Sequence, residues 1–286
     1  MRHPIFLGVA VGCALAVAGC VGNDKAKVDK ALDSVNAVDA TNLSDIMLTV
    51  GDPREAVSYF TRATKEHPER IDLQRGLGKS MVRAGQAEAA IAVWTKILTM
   101  PEASNDDRVS LADAQIRAGK WDDAKATLNT IPPTHETFER YKLEAMVADS
   151  EKNWKKADSF YETAAGLTTR PSSVLNNWGF SKLTRGDAKG AESLFAEALT
   201  YDSTAFTTKN NLVMARAAQH KYDLPVVDMT QTERAKLLYT AALSAIKQGD
   251  VSIGKGLLQD AVDTSPVYFE EAARALEALD AGGKRS

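Results

Sequence analysis

Two cysteines in 286 residues, Cys13 and Cys20, both fall within the first twenty positions, so the rest of the chain has no disulfide framework. It also has no thiolate zinc site and no cysteine nucleophile. Histidine is scarce: His3, His67, His135 and His220 are too scattered for the spacing by which one helix presents two metal ligands. Charge of one sign is missing as well. The net charge is −3 with acidic and basic side chains interspersed, which gives no basis for nucleic-acid binding or for an electrostatic hold on anionic lipid. The one marked apolar run, Ile5 to Val17, is shorter than the roughly 20 residues that span a bilayer as a helix.

That run is nevertheless informative. Arg2 and His3 precede it as a short polar region, and Val17-Ala18-Gly19-Cys20 follows with the small residues of a cleavage site. The stretch resembles a bacterial lipoprotein signal; the alternatives are an ordinary secretory signal and an uncleaved anchor. The resemblance implies cleavage before Cys20, a diacylglycerol on its thiol and an acyl group on its new amino terminus. Several acyl chains hold a protein firmly to a membrane where one does not. Residues 1–19 are therefore expected to be a signal peptide and residues 20–36 a lipidated tether. Loss of Arg2 with the signal takes the net charge from −3 to −4, so lipid rather than charge supplies attachment. Val21 stands where inner-membrane lipoproteins often carry aspartate, which implies the periplasmic face of the outer membrane if the cell is Gram-negative.

From residue 37 the chain repeats. Pro171 to Ser203 reads at helical period as two amphipathic helices joined at Gly186-Asp187. Counting Ser172 as position 1, Trp178 and Gly179 occupy positions 7 and 8, Ala191 position 20, Phe195 position 24 and Ala198 position 27. Small residues at 8 and 20 let two helix backbones approach, and bulky ones at 7 and 24 fill the space around that contact. The pattern is identified as a tetratricopeptide (TPR) repeat. Gly51, Gly85 and Gly119 recur at steps of 34, as do Ala56, Ala90 and Ala124. Helix pairs are thus expected from near Ala37, Ile71 and Asn105, with Phe60, Trp94 and Leu128 at position 24. A fourth pair starts near Phe138; it lacks the turn glycine and places Lys152 and Asn153 there, asparagine being tolerant of a left-handed backbone. A sixth first helix runs from Phe206 to Gln219.

The period then breaks. Leu224-Pro225-Val226-Val227-Asp228-Met229 occupies the place of a second helix, and proline removes a donor and clashes with the preceding turn. Thr230-Gln231-Thr232-Glu233 is a capping box for the next helix. The expected organisation is TPR repeats over 37–222, an irregular break over 223–234, and over 235–286 a last TPR-like repeat with a capping helix from Tyr268 to Asp280. The fold class is all-α, a TPR superhelical solenoid of six to seven helix pairs with a C-terminal capping helix.

Nothing in the pattern carries catalysis. Gly78-Lys79-Ser80 ends like a phosphate-binding loop, but Leu73 stands where that loop needs glycine, and Gly78 is the packing residue of its repeat. Asp106-Asp107 and Asp122-Asp123 open helices, where acids complement the dipole. No catalytic residue, metal ligand, cofactor, small-molecule substrate or nucleic acid is expected, and the chain reads as a non-enzymatic binding protein.

Recognition remains. In TPR stacks the positions 2, 5, 6, 9, 12 and 13 of each first helix line the concave groove, since steps of three and four share a face. The candidates for peptide contact are Asn176, Asn177, Phe180, Thr184, Asn210, Asn211, Met214 and Lys236, with Asn42 at position 6 of the first unit. Asn177 and Asn211 are suited to hold the backbone of an extended peptide; the alternative is that they bond a neighbouring helix or water. Lys236 is the one cation placed for a carboxylate.

The lipobox, the repeats, Asn-Asn-Trp-Gly at 176–179, Asn-Asn-Leu at 210–212 and Tyr-Asp-Leu-Pro before Thr-Glu-Arg-Ala-Lys-Leu-Leu-Tyr together resemble the TadD lipoproteins of tight-adherence (Flp) pilus systems. That resemblance, carried mainly by residues 172–266, implies a pilotin, an assembly factor that brings the secretin to the outer membrane. A scaffold for another envelope complex, in outer-membrane protein assembly or with peptidoglycan enzymes, is the alternative.

Overall fold

A computed structural model describes residues 43–283; Cys20, the tether and Asn42 lie outside the described residues. Among the described residues all regular structure is α-helical. The helices are α1 (43–49), α2 (Pro53–Glu66), α3 (Ile71–Arg83), α4 (Ala87–Ile97), α5 (Asn105–Arg117), α6 (Trp121–Asn129) and α7 (Phe138–Ser150). They continue as α8 (Trp154–Gly166), α9 (Ser172–Thr184), α10 (Ala188–Tyr201), α11 (Phe206–Ala217), α12 (Gln231–Lys247), α13 (Val251–Thr264) and α14 (Glu270–Gly283). The described residues form two compact units, 43–86 and 87–283, divided in the turn between α3 and α4.

In the first unit α2 begins where Asp52 accepts from the N–H groups of Arg54 and Glu55 and Pro53 stands at the first helical position. Its buried face, Ala56 and Phe60, packs on α3. Arg83 at the end of α3 donates to the carbonyls of Met47, Leu48 and Gly51, satisfying acceptors that the end of α1 leaves open. The Gly78-Lys79-Ser80 stretch lies within α3, so it forms no phosphate-binding loop.

The second unit is built from helix pairs that meet as the spacing requires. Ala90, Ala124, Ala157 and Ala191 at position 20, and Trp94, Leu128, Tyr161, Phe195 and Leu258 at position 24, are all buried. A methyl group at Gly179 would lie 2.7 Å from the Phe195 ring, which is the close approach that glycine at position 8 serves. Position 15 is the left-handed residue of each turn: Gly119, Gly186 and Gly249 have positive φ, and the next N–H closes on the carbonyl five residues back. Two non-glycine residues take that place, Lys152 at φ 57° and His220 at φ 58°. Lys152, not Asn153, is thus the left-handed residue of the fourth turn; Asn153 has φ −85° and opens α8. In the first unit Gly85 behaves like the others, whereas Gly51 keeps an ordinary φ because Arg83 and the Val50 and Gly51 N–H groups close that turn.

The sixth first helix, α11, closes at His220 as its position requires, and no second helix follows. Residues 221–230 run irregularly to α12. Leu224, Val227 and Met229 turn inward and join the apolar clusters around Phe195, Val213 and Leu237, replacing the buried face of the missing helix. Lys209, whose side chain is only 3% exposed, fastens the segment: its ammonium donates to the Asp228 carbonyl at 2.6 Å and reaches both Glu233 oxygens at 3.4 Å. Glu233 completes the capping box with Thr230. At the far end α14 covers Leu258 and Ala261 of α13 with Ala272, Leu276 and Leu279.

Candidate recognition groove

Four first helices of the second unit, α7, α9, α11 and α12, succeed one another in contact. Polar side chains stitch them together. Asn177 Nδ2 donates to Met146 Sδ at 3.5 Å, Asn211 Nδ2 donates to Asn176 Oδ1 at 3.1 Å, and Thr240 Oγ1 donates to Asn210 Oδ1 at 2.7 Å. Each Asn-Asn pair therefore reaches back with one residue and forward with the other. Asn211 is buried, and the amide groups of all four asparagines bond neighbouring helices or, for Asn210 Nδ2, Met214 on the same helix at 3.7 Å. Asn177 and Asn211 thus bond neighbouring helices, the alternative to contact with a peptide backbone, and help to fix the spacing of the helices. A side-chain amide facing a neighbouring helix finds a partner there before any ligand arrives.

The surface along this ladder is apolar. Phe180, Met214 and Leu243 are 49%, 38% and 42% exposed, and each follows a ladder residue by three or four positions on the same helix face. Thr184 is exposed one turn beyond Phe180, with its hydroxyl donating to the Ser181 carbonyl. Lys236 is exposed at the start of α12, its ammonium 5.9 Å from the centre of the Phe206 ring, a distance at which the cation is drawn to the π face.

Between α7 and α9 the groove deepens into a hollow of about 290 Å³ lined by Trp121, Met146, Asp149, Ser150, Trp154, Tyr161, Asn177, Phe180, Ser181 and Thr184. Three of the expected residues, Asn177, Phe180 and Thr184, meet there. Asn176 and Asn177 also border a second hollow toward the start of α9, beside Arg170, Tyr201 and Asp202. Asn210, Asn211, Met214 and Lys236 lie outside both.

Asp149 forms the polar floor of the first hollow. Its two oxygens accept from Ser181 Oγ at 2.7 Å and Tyr161 OH at 2.9 Å. Burial holds its pKa above the usual aspartate value, against the two hydroxyl donors, which pull it down. Burial likewise raises the Tyr161 phenol well above its ordinary range, so it stays a donor. The rim is rigid. Trp178 Nε1 donates to Asp158 Oδ1 at 2.6 Å, Arg185 reaches the same oxygen at 2.5 Å, and Trp178 stacks on Tyr161 at 6.2 Å.

Trp121, Met146 and Leu243 were not singled out from the sequence. Met146 and Leu243 repeat the position 9 of Phe180 and Met214, so the register itself carried the signal. Trp121 opens α6 as Trp154 opens α8, at position 17, where a second-helix residue leans toward the groove. The histidines remain apart: His67 follows α2, His135 lies between α6 and α7, and His220 forms a turn in which its ring meets Asp250 at 2.8 Å. Among the described residues no cluster of three or more histidine, cysteine, aspartate or glutamate side chains could hold a metal. None of the described helices is long and apolar enough to cross a membrane.

Residues 42–107 match the tetratricopeptide repeat family. Among solved structures, the chain is similar to one from the APC/C hetero-tetramer Cut9–Hcn1, at 16% identity and a TM-score of 0.60 over 82% of this chain and 48% of that one. The present chain thus spans about half the length of that relative. A tetratricopeptide repeat protein from Parabacteroides merdae aligns over 83% of this chain and 96% of its own, at 14% identity and a TM-score of 0.52. Human IFIT1, in a dimer with PPP-AAAA, aligns over 82% and 60%, at 12% identity and a TM-score of 0.58. No curated protein matches the chain. At these identities the likeness is one of fold, and the fold is that of the tetratricopeptide repeat proteins. Stacked repeats of this kind present extended surfaces to other proteins.

Proposed function

We propose that this chain is a lipid-anchored, non-enzymatic scaffold that captures a segment of another protein along α7, α9, α11 and α12. In this reading it acts as pilotin for the outer-membrane secretin of a tight-adherence pilus system. The observation that carries the binding role is the groove itself: exposed Phe180, Met214 and Leu243 aligned beside a hydrogen-bonded ladder that holds the helices at fixed spacing. Large apolar side chains in line on a polar-rimmed surface mark a protein contact. The identity of the partner is supported by the sequence resemblance over residues 172–266, and the anchor by the lipobox ending at Cys20.

The test is mass spectrometry of proteins that copurify with the detergent-solubilised full-length chain, beside Cys20→Ser and the double variant Phe180→Ser, Met214→Ser. Secretin should be enriched by the parent chain and lost from the double variant, while Cys20→Ser should release the protein from the membrane fraction. Enrichment instead of outer-membrane protein-assembly components or cell-wall enzymes would transfer the role to another envelope complex.

A further inference from the structure

We propose a second docking surface, at the place where α11 lacks a second helix: it takes an amphipathic α-helix of a partner protein, which stands in for the missing element. Each of α5, α7, α9 and α12 packs on the second helix that follows it, α6, α8, α10 and α13 in turn. By contrast, α11 meets α10 and α12 and is followed by the irregular segment 221–230. Leu224, Val227 and Met229 of that segment fill the inner part of the vacancy. What they leave open is a hollow of about 900 Å³ walled by Leu224, Val226, Val227, Leu238 and Leu257. Its size fits a helix. One α-helical turn with its side chains is 5.4 Å of a cylinder about 10–12 Å across, or about 500 Å³, so a helix sunk to half its section takes about 250 Å³ per turn. The hollow thus accommodates about three to four turns. That is the length of α8, α10 and α13, which have 13, 14 and 14 residues. Its walls share no residue with the apolar row Phe180, Met214 and Leu243, so this surface stands independently of the groove.

The segment holds an apolar group outward at the mouth of this hollow. Val226 is fully exposed at the tip of a γ-turn, which the Val227 N–H closes on the Pro225 carbonyl at 3.0 Å, and Pro225 itself is buried. A β-branched side chain on a fixed turn has little freedom left to lose on binding. The apolar face continues along α13, where exposed Ile253 stands one turn before Leu257. Charge then selects among helices. Asp223, Asp228 and Arg234 border the hollow, and Asp223 is paired with Arg216. Asp228 and Arg234 are exposed, and among the described residues neither side chain has a hydrogen bond or an ion pair. A helix with an apolar stripe and with both an acid and a base on its flanks satisfies the two. A helix flanked by one sign alone meets a like charge at one of them.

The experiment uses the detergent-solubilised full-length protein and fluorescent, side-chain-stapled helical peptides of about four turns. They carry leucines along one face and differ in their flanks, which are glutamate, lysine or glutamine. A peptide of the same composition with its leucines spread around the helix is the control and is expected not to bind. Val226→Ser should weaken all three by about tenfold, as loss of a buried valine implies. Arg234→Gln should weaken the glutamate peptide by about fivefold and Asp228→Asn the lysine peptide by as much, with the glutamine peptide unchanged by either. Bound peptide should slow amide exchange in 221–230 and α13. All three substituted side chains are exposed, so their loss leaves the core intact. Equal binding of the control, or affinity unaltered by Val226→Ser, overturns the docking surface. Affinities that ignore both charge variants overturn the choice of helix. Binding abolished by Phe180→Ser with Met214→Ser places the peptide in the groove and overturns the second surface while leaving the groove reading intact. Self-association of the chain that Val226→Ser abolishes gives the hollow to a second copy and overturns the partner helix.

Discussion

A methyl group at Gly179 would press on the Phe195 ring at 2.7 Å, while the same group at Gly166, the last residue of α8, would meet nothing within 4 Å. Gly179→Ala is therefore expected to cost about 1–3 kcal/mol through forced repacking. Gly166→Ala should gain up to about 0.5–1 kcal/mol by restricting the unfolded chain. Urea unfolding of the two variants checks both signs. Asp149 gives a residue-scale prediction in pH. Burial raises its folded pKa above the ordinary value of 3.8, so the native state binds its proton more tightly than the unfolded chain does. Its contribution is fully present below pH 3.8 and is lost as pH rises through the raised folded value. Asp149→Asn, which keeps one acceptor for Ser181 and offers a donor to the Tyr161 oxygen, should raise the unfolding midpoint at neutral pH and leave it unchanged in acid. A midpoint lowered at pH 7 would show that the carboxylate is held by its two hydroxyl donors more strongly than burial penalises it.

Among elements, the segment 221–230 is tied to both flanking helices by one buried side chain. The buried ammonium of Lys209 reaches from α11 to the Asp228 carbonyl and to Glu233 at the head of α12. Lys209→Met keeps the apolar stem and removes both contacts, leaving the Asp228 carbonyl without its donor and the Glu233 carboxylate without its counter-charge. We expect a loss of about 2–3 kcal/mol, together with faster amide exchange confined to 221–234; unchanged exchange there would mean that the apolar contacts of Leu224, Val227 and Met229 and the polar contacts of Lys221, Tyr222 and Asp223 hold the segment without Lys209. The break, its proline and the Thr230 capping box were legible in the sequence because each acts locally on the backbone. The small and large residues at positions 8, 20 and 24 were legible for a similar reason, since a step of 34 carries them to equivalent packing sites. The partners of Asn177 and Asn211 were not. A periodic reading places them on the groove face, but whether an amide turns to solvent or to the next helix depends on the distance between helices, which the spacing of residues does not state. Lys152 and His220 at left-handed turn positions escaped for a related reason: tertiary contacts, the α7–α8 pair around Lys152 and those of the ring with Tyr222 and Asp250 at His220, hold there residues that local preference disfavours.

For the molecule as a whole, repeat architecture makes stability a sum over neighbours. In the second unit α14 ends the series, and it covers Leu258 and Ala261 of α13 while Phe269, just before it, meets Tyr239 of α12 at 5.3 Å. A chain ending at Val267 loses that cover and exposes a face that every interior repeat buries. Exchange in α12 and α13 should then quicken by at least about tenfold, while α5 to α8 keep their protection, because they share no contact with the removed helix. Hydrogen exchange read by mass spectrometry over the whole chain distinguishes the two cases. An equal loss of protection from α5 to α13 would mean that the second unit unfolds as one block. The fixed spacing of α7, α9, α11 and α12 would then be a property of the entire unit, and a partner bound at Phe180 would protect α13 as strongly as α9.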